Sequence, residues 1–156
     1  MKRYTGTAFL SRSAFVSVHP IIYLYMPPFA ITQTVKGVPS FPYETIKNDV
    51  LGKRYNLALT FVGPTRAQKL NEAYRKKTYT PNVLSFPLAP DCGEIVICPD
   101  VAKREAKDYS HTKDGHIAYL FIHGLLHLKG YDHQTDADHT VMEKLERKYV
   151  KKYDIA

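Results

Sequence analysis

Residues Gly115–His133, GHIAYLFIHGLLHLKGYDH, decide how the rest of the chain is read. At 3.6 residues per turn, Ile117, Leu120, Phe121, Leu125 and Leu128 fall on one side, so Gly115–Leu128 reads as a helix with an apolar face. Gly130 follows its last turn and suits the left-handed conformation that ends a helix and reverses the chain. His123 and His127 are one turn apart and project from a common side, away from the apolar stripe. The reversal at Gly130 returns His133 towards them. The spacing H-x3-H-x5-H, with glycine at the seventh step, is that of three metal-ligating imidazoles and a turn. Three neutral imidazoles leave the fourth tetrahedral position open, which marks a catalytic zinc site, so one Zn2+ per chain is expected.

One residue type is missing. Zinc peptidases with this spacing carry glutamate directly after the first histidine, as general base and proton shuttle, and here that position is Gly124. Without the shuttle, a metal-activated water is better matched to an ester than to an amide, whose amine leaves poorly. Metal-assisted hydrolysis of another ester is therefore the first reading and a zinc peptidase or amidase the alternative. A non-catalytic ribosome- or RNA-binding module, in which zinc only staples the C-terminal helices, is the third.

Outward from this segment, strand-like and helix-like stretches alternate. Phe29–Val35 reads as a strand, Tyr43–Leu51 as a short helix closed by Gly52, and Tyr55–Val62 as a strand with alternating apolar positions. Pro64 opens a helix through Tyr74, because a proline at the first helical position gives up only an N–H with no partner. Val83–Leu88 and Glu94–Cys98 read as strands separated by the turn-rich residues 89–93, and Pro99 starts another helix. Asp136 or Asp138 suits the cap of a last helix that carries Val141, Met142, Leu145 and Tyr149 and runs to Lys152. The class is α+β, four strands packed on about five helices.

Composition sets the outer bounds. The chain has 156 residues, 44% of them hydrophobic and 24% charged, which suits one globular domain and excludes a disordered or collagen-like chain. Two cysteines, Cys92 and Cys98, are too few for a disulfide scaffold and read as reduced thiols of a cytosolic protein. No apolar run reaches 18 residues, so no membrane span or membrane partner is expected. The net charge of +7 favours polyanionic partners, nucleic acid first among them. Residues 1–28 lack the uninterrupted apolar core and cleavage site of a signal peptide and read as a poorly ordered leader, with Pro27-Pro28 marking the start of a single domain over 29–156.

The segment His123–His133, HGLLHLKGYDH, resembles the signature HGxLHLxGYDH of the YbeY family of metal-dependent endoribonucleases at every fixed position. Leu70–Arg75 (LNEAYR), Asn82–Pro87 (NVLSFP) and Gly93–Ile97 (GEIVI) are similar to three further family elements, in the same order. The resemblance covers roughly Leu57 to Lys148. The chain departs from the family pattern at Thr78, Thr80-Pro81, Glu94 and Tyr119. The resemblance implies a mixed four-stranded sheet flanked by helices, with zinc on His123, His127 and His133. It also implies cleavage of single-stranded RNA in ribosomal RNA maturation and ribosome quality control, beside the ribosome or its assembly proteins. The compartment it implies is the bacterial cytoplasm or an organelle of bacterial descent. It makes Arg75 the family's essential arginine, and a guanidinium is independently suited to bidentate contact with a phosphodiester whose charge grows in the transition state.

Other residues attract attention for their chemistry. Lys76, Lys77 and Tyr79 make a basic loop with an aromatic able to stack a base. Asp132, beside the third histidine, suits a residue that orients an imidazole. Ser85 is read as a phosphate contact or a strand residue, His139 as a surface residue. His116, seven residues and about 10 Å before His123, is too distant for a ligand and is read as a substrate contact. Lys144–Lys152 forms a basic helix face that suits solvent or RNA.

Overall fold

A computed structural model describes residues 27–155, so all but the last two residues of the expected leader lie outside the described residues. In chain order the elements are β1 (Phe29–Gln33), α1 (Tyr43–Leu51), β2 (Asn56–Phe61), α2 (Pro64–Arg75), β3 (Val83–Ala89), β4 (Cys92–Ile97), α3 (Pro99–Glu105), α4 (Lys113–Lys129) and α5 (Asp136–Lys152). A short 3-10 turn, Ala106–Tyr109, links α3 to α4. The strands form one mixed sheet in the order β1-β2-β4-β3, with β1, β2 and β4 parallel and β3 antiparallel to β4. The class is α+β, as read from the sequence.

The sheet is covered on both faces. Leu57, Leu59 and Phe61 of β2 alternate with half-buried neighbours and, with Ile95 and Ile97 of β4, face α1 and α4. Tyr43 of α1 meets Phe121 of α4 edge-on at 5.1 Å and Phe61 at 5.9 Å, so three elements share one aromatic contact. On the other face Leu84 and Phe86 of β3 pack with Val96, Ala67 of α2 and Val101 of α3. Pro87 lacks the N–H that a central strand needs, and β3 accommodates it as an edge strand with an irregularity between Pro87 and Ala89.

Three local expectations are corrected. β4 begins at Cys92 rather than Glu94, because Ala89 pairs with Cys92 and Pro90-Asp91 alone make the turn. The cap of α5 is Thr135 rather than an aspartate: its hydroxyl accepts from the Asp138 N–H at 3.1 Å and donates to the Asp138 carboxylate at 2.6 Å. Most consequential is α4. It starts at Lys113, capped by Thr112, and every residue from Gly115 to His127 is buried, so it has no solvated face there. α1, α3, α5 and the sheet all pack against it, which makes it the central helix of the fold.

Candidate metal centre

α4 delivers two of the three histidines from inside the core. His123 is 1% exposed and His127 fully buried, so the expectation that they stand apart from the packed face is wrong. Gly130, at φ +104°, ends the helix. The Gly130 N–H donates to the His127 carbonyl at 2.9 Å, and the Tyr131 N–H reaches back to the Leu126 carbonyl at 3.0 Å, the paired bonds of a left-handed helix end. The chain thereby turns back, and His133 comes to rest with its ring centroid 5.1 Å from that of His127 and 5.7 Å from that of His123.

Carboxylates fix two of the rings. Glu146, buried on α5, lies 2.5 Å through Oε1 from His123 Nδ1, and its Oε2 accepts from the Tyr119 hydroxyl at 3.1 Å. Asp132 Oδ1 accepts from the His133 backbone N–H at 2.8 Å and lies 3.1 Å from His133 Nδ1, while Gln134 donates to its other oxygen. With Nδ1 engaged, His123 turns Nε2 towards His127 Nε2, 3.2 Å away. One ligand atom from each of the three histidines lies within 4.8 Å of the others.

These residues fit a metal ion. A tetrahedral ion with bonds of about 2.0–2.1 Å to nitrogen holds two such nitrogens about 3.3 Å apart, close to the separation of His123 and His127. A cavity of about 10 Å³ beside His123 and His133, bordered by His139, Met142, Glu143 and Glu146, has room for one ion or water. Burial, then the adjoining His123 and His133 imidazoles, push His127 down to about 3, and burial and His123 also lower His133 against an opposing pull from Asp132. Rings held neutral near pH 7 are rings ready to ligate. The three-histidine group can hold a metal.

Arg75 sits at the last turn of α2. Its Nη1 donates to Asn71 Oδ1 at 3.3 Å and to the Tyr79 hydroxyl at 2.7 Å. Asn71 is fully buried and donates through Nδ2 to the Tyr79 carbonyl, so one side chain anchors both the arginine and the loop after it. Lys76, Lys77 and Tyr79 are exposed on that loop, in keeping with the basic, aromatic surface anticipated.

Other candidates separate clearly. Ser85 is fully buried and donates to the Gly124 carbonyl at 3.3 Å, so it is a packing residue of β3. Gly124 has no room for a side chain: a Cβ there meets Ser85 Oγ at 2.9 Å and Ile95 at 3.1 Å. The peptidase glutamate is excluded at this position by packing. His116 is buried between the Tyr109 and Tyr119 rings with Nδ1 3.1 Å from His111 Nδ1, a position closed to substrate. His139 is half-buried and borders the metal-site cavity, so it is no plain surface residue. Both cysteines are buried free thiols.

Glu146 escaped the sequence reading. A signal existed: Met142, Glu146 and Tyr149 share the packed stripe of α5, and a ligating histidine usually gives its second nitrogen to a carboxylate. A carboxylate in an apolar register is the cue.

Three imidazoles, two buried and one half-buried, carried by a central helix and the turn after it, give this α+β protein a group that can hold a metal. The family model described as Endoribonuclease YbeY matches residues 29–154, and the chain belongs to that family. Two similar curated proteins bear the name Endoribonuclease YbeY. That of Polynucleobacter asymbioticus is 42% identical over 100 residues, 62% of this chain and 64% of that protein. That of Stutzerimonas stutzeri is 46% identical over 99 residues, 58% of this chain and 62% of that protein. The matched part therefore spans less than two thirds of the length of either relative. Among solved structures, a Thermotoga maritima protein studied in solution superposes with a TM-score of 0.59 at 27% identity, covering 80% of this chain and 88% of that one.

Proposed function

We propose that this protein is a zinc-dependent endoribonuclease that cleaves single-stranded RNA in ribosomal RNA maturation and ribosome quality control, in the cytoplasm and beside ribosomes or their assembly proteins. The observation that carries the reading is the set of three imidazoles, two buried and one half-buried, with ligand atoms within 4.8 Å of one another. The names of the relatives supply the substrate class, and no helix of the described residues is long and apolar enough to cross a membrane.

His123, His127 and His133 would hold the zinc, which would supply Lewis-acid activation of the attacking oxygen and offset charge at the phosphate. The remaining work falls to the chain itself. Glu146 and Asp132 keep the His123 and His133 rings in one tautomer and one orientation. Arg75, braced by Asn71 and Tyr79, grips the scissile phosphate with its planar fork and offsets the charge that grows there. Lys76, Lys77 and the net charge of +7 draw RNA in, so binding weakens steeply with salt. The peptidase alternative lacks its glutamate and the space for one.

The test is cleavage of end-labelled single-stranded RNA by wild type, His127→Ala and Arg75→Ala proteins prepared identically. The reading requires that wild type cuts and that both folded variants fail. Equal cutting by all three identifies a contaminant, and RNA binding without cleavage favours the binding-module alternative.

A further inference from the structure

α2 ends in a surface that the metal centre does not explain. Among the described residues the exposed large aromatics are Tyr74, 43% exposed, and Tyr79, 40% exposed, and along the chain they stand on either side of Arg75. Apolar rings scattered singly over a surface call for no explanation. These two share theirs with charge: residues 64–79 carry five basic side chains, Arg66, Lys69, Arg75, Lys76 and Lys77, against one acidic, Glu72. Both rings are also held in place. Tyr74 meets Phe86 of β3 edge-on at 5.3 Å. The loop that carries Tyr79 is pinned to α2 by Gln68, which donates to the Thr78 carbonyl at 2.8 Å, and by Asn71, which donates to the Tyr79 carbonyl at 2.8 Å. A ring ordered in advance and left half in water suits a flat partner, because little side-chain freedom is lost when that partner lands on it. β3 sets where the surface lies. Ser85 donates to the Gly124 carbonyl on one side of the strand, and Phe86, the next residue, meets Tyr74 on the other. Tyr74 and the His123–Gly124 stretch of α4 therefore face each other across one edge strand.

We propose that Tyr74 is a base-stacking residue, its ring taking an unpaired base of single-stranded RNA whose phosphates run along the cations at the end of α2. Every base has a π-face, so the contact tolerates any sequence. It does not tolerate pairing, since the bases of a duplex already cover each other's faces. Tyr74 thereby selects the state of the strand, whereas Arg75 and the lysines attract either kind of RNA. The inference rests on the reading of this protein as one that acts on RNA.

The experiment uses full-length, zinc-loaded protein and one fluorescently labelled RNA, single-stranded or annealed to its complement, with binding followed by anisotropy across a salt series. Wild type is compared with Tyr74→Ala and with Tyr74→Phe, which keeps the ring, and thermal melts show that each is folded. Should alanine unfold the chain, Tyr74→Leu, which packs on Phe86 without an aromatic face, takes its place with the same expectation. The expected result is a single-strand Kd raised about tenfold by alanine and kept within about threefold of wild type by phenylalanine. The duplex Kd should move by less than about twofold, and the slope of log Kd against log salt should not change, because no phosphate contact is lost. An unchanged single-strand Kd in Tyr74→Ala overturns the proposal. So does an equal loss for both RNAs or a shallower salt slope, either of which makes Tyr74 a support for the neighbouring charges. A loss in Tyr74→Phe as large as in Tyr74→Ala also overturns it, since the hydroxyl and not the ring would then be the contact. Cleavage of the single strand, measured in parallel, separates the two levels of inference, and there the loss in Tyr74→Ala should fall on KM rather than on kcat. If wild type cuts no RNA while the binding results hold, the nuclease reading falls and the stacking contact stands. If RNA is cut and Tyr74→Ala binds it as wild type does, the contact falls alone.

Discussion

Glu146 Oε1 and His123 Nδ1 lie 2.5 Å apart although 23 residues separate them, and both side chains are buried. The pair couples α5 to α4 at the point where the ring turns its other nitrogen inwards. A buried carboxylate needs such partners, since alone it would be costly to keep ionised in the core. The same pair therefore closes the fold and sets the tautomer of a candidate ligand.

Removing that carboxylate should be felt at the metal. Glu146→Ala is expected to weaken zinc affinity by about 10- to 100-fold and to destabilise the protein by roughly 1–3 kcal/mol, because the Tyr119 hydroxyl and His123 Nδ1 lose a buried partner. Competition with a chromogenic chelator and a thermal melt measure the two effects. Zinc affinity equal to wild type would show that Glu146 is packing only.

Gly124 should accept no side chain. Gly124→Ala forces Cβ to within 2.9 Å of Ser85 Oγ and 3.1 Å of Ile95. A loss of roughly 1–3 kcal/mol is expected, with Gly124→Glu losing more and gaining no peptide hydrolysis. The denaturant midpoints decide, and a Gly124→Ala protein as stable as wild type would mean that β3 and β4 yield.

Arg75 should not be replaceable by lysine. Nη1 donates both to Asn71 Oδ1 and to the Tyr79 hydroxyl, which fixes the guanidinium plane, and that planar fork suits a bidentate grip on phosphate that a compact ammonium cannot reproduce. Arg75→Lys is expected to lose most RNA cleavage, by at least tenfold, while still binding RNA. Tyr79→Phe removes one brace and should lower cleavage less. A single-turnover rate for Arg75→Lys close to wild type would reduce Arg75 to a surface charge.

Acid should destabilise the metal-free protein over a defined range. His127 is held near 3 in the folded chain against 6.5 when unfolded, chiefly by burial. Between those values the unfolded chain binds the proton that the folded chain refuses, so this contribution is complete above pH 6.5 and is lost as pH falls towards about 3. Melting temperatures of chelator-treated protein at pH 7.5, 6 and 5 should fall in that order. Zinc should delay the fall, because protons must then displace it.

Short-range patterns in the chain were legible. The alternation of Leu57, Leu59 and Phe61 announced β2, and the spacing of His123, His127, Gly130 and His133 announced the three-imidazole cluster, since helix pitch and one glycine turn suffice to build it. What stayed hidden depends on contacts far apart in sequence. Nothing near Lys47 tells that its ammonium is buried and donates to the Tyr55 carbonyl at 2.8 Å, capping a gap between α1 and β2. The burial of α4 on every side was equally hidden, because a helical period reports the strongest apolar stripe and not how many neighbours arrive. His116 and His139 were misjudged for the same reason. Their surroundings come from Tyr109 and from the start of α5, which local sequence does not position.

The contact between Gly124 and the sheet bears on what this scaffold can become. A single codon change from glycine to glutamate is, on paper, the shortest step from this centre towards peptide cleavage. Here that step leads into a wall formed by Ser85 and Ile95, so an intermediate carrying only the glutamate would be disfavoured before any new activity could be selected. A laboratory lineage aiming for peptidase chemistry would have to thin β3 and β4 first, and the order of mutations, more than their number, would govern whether that chemistry is reached.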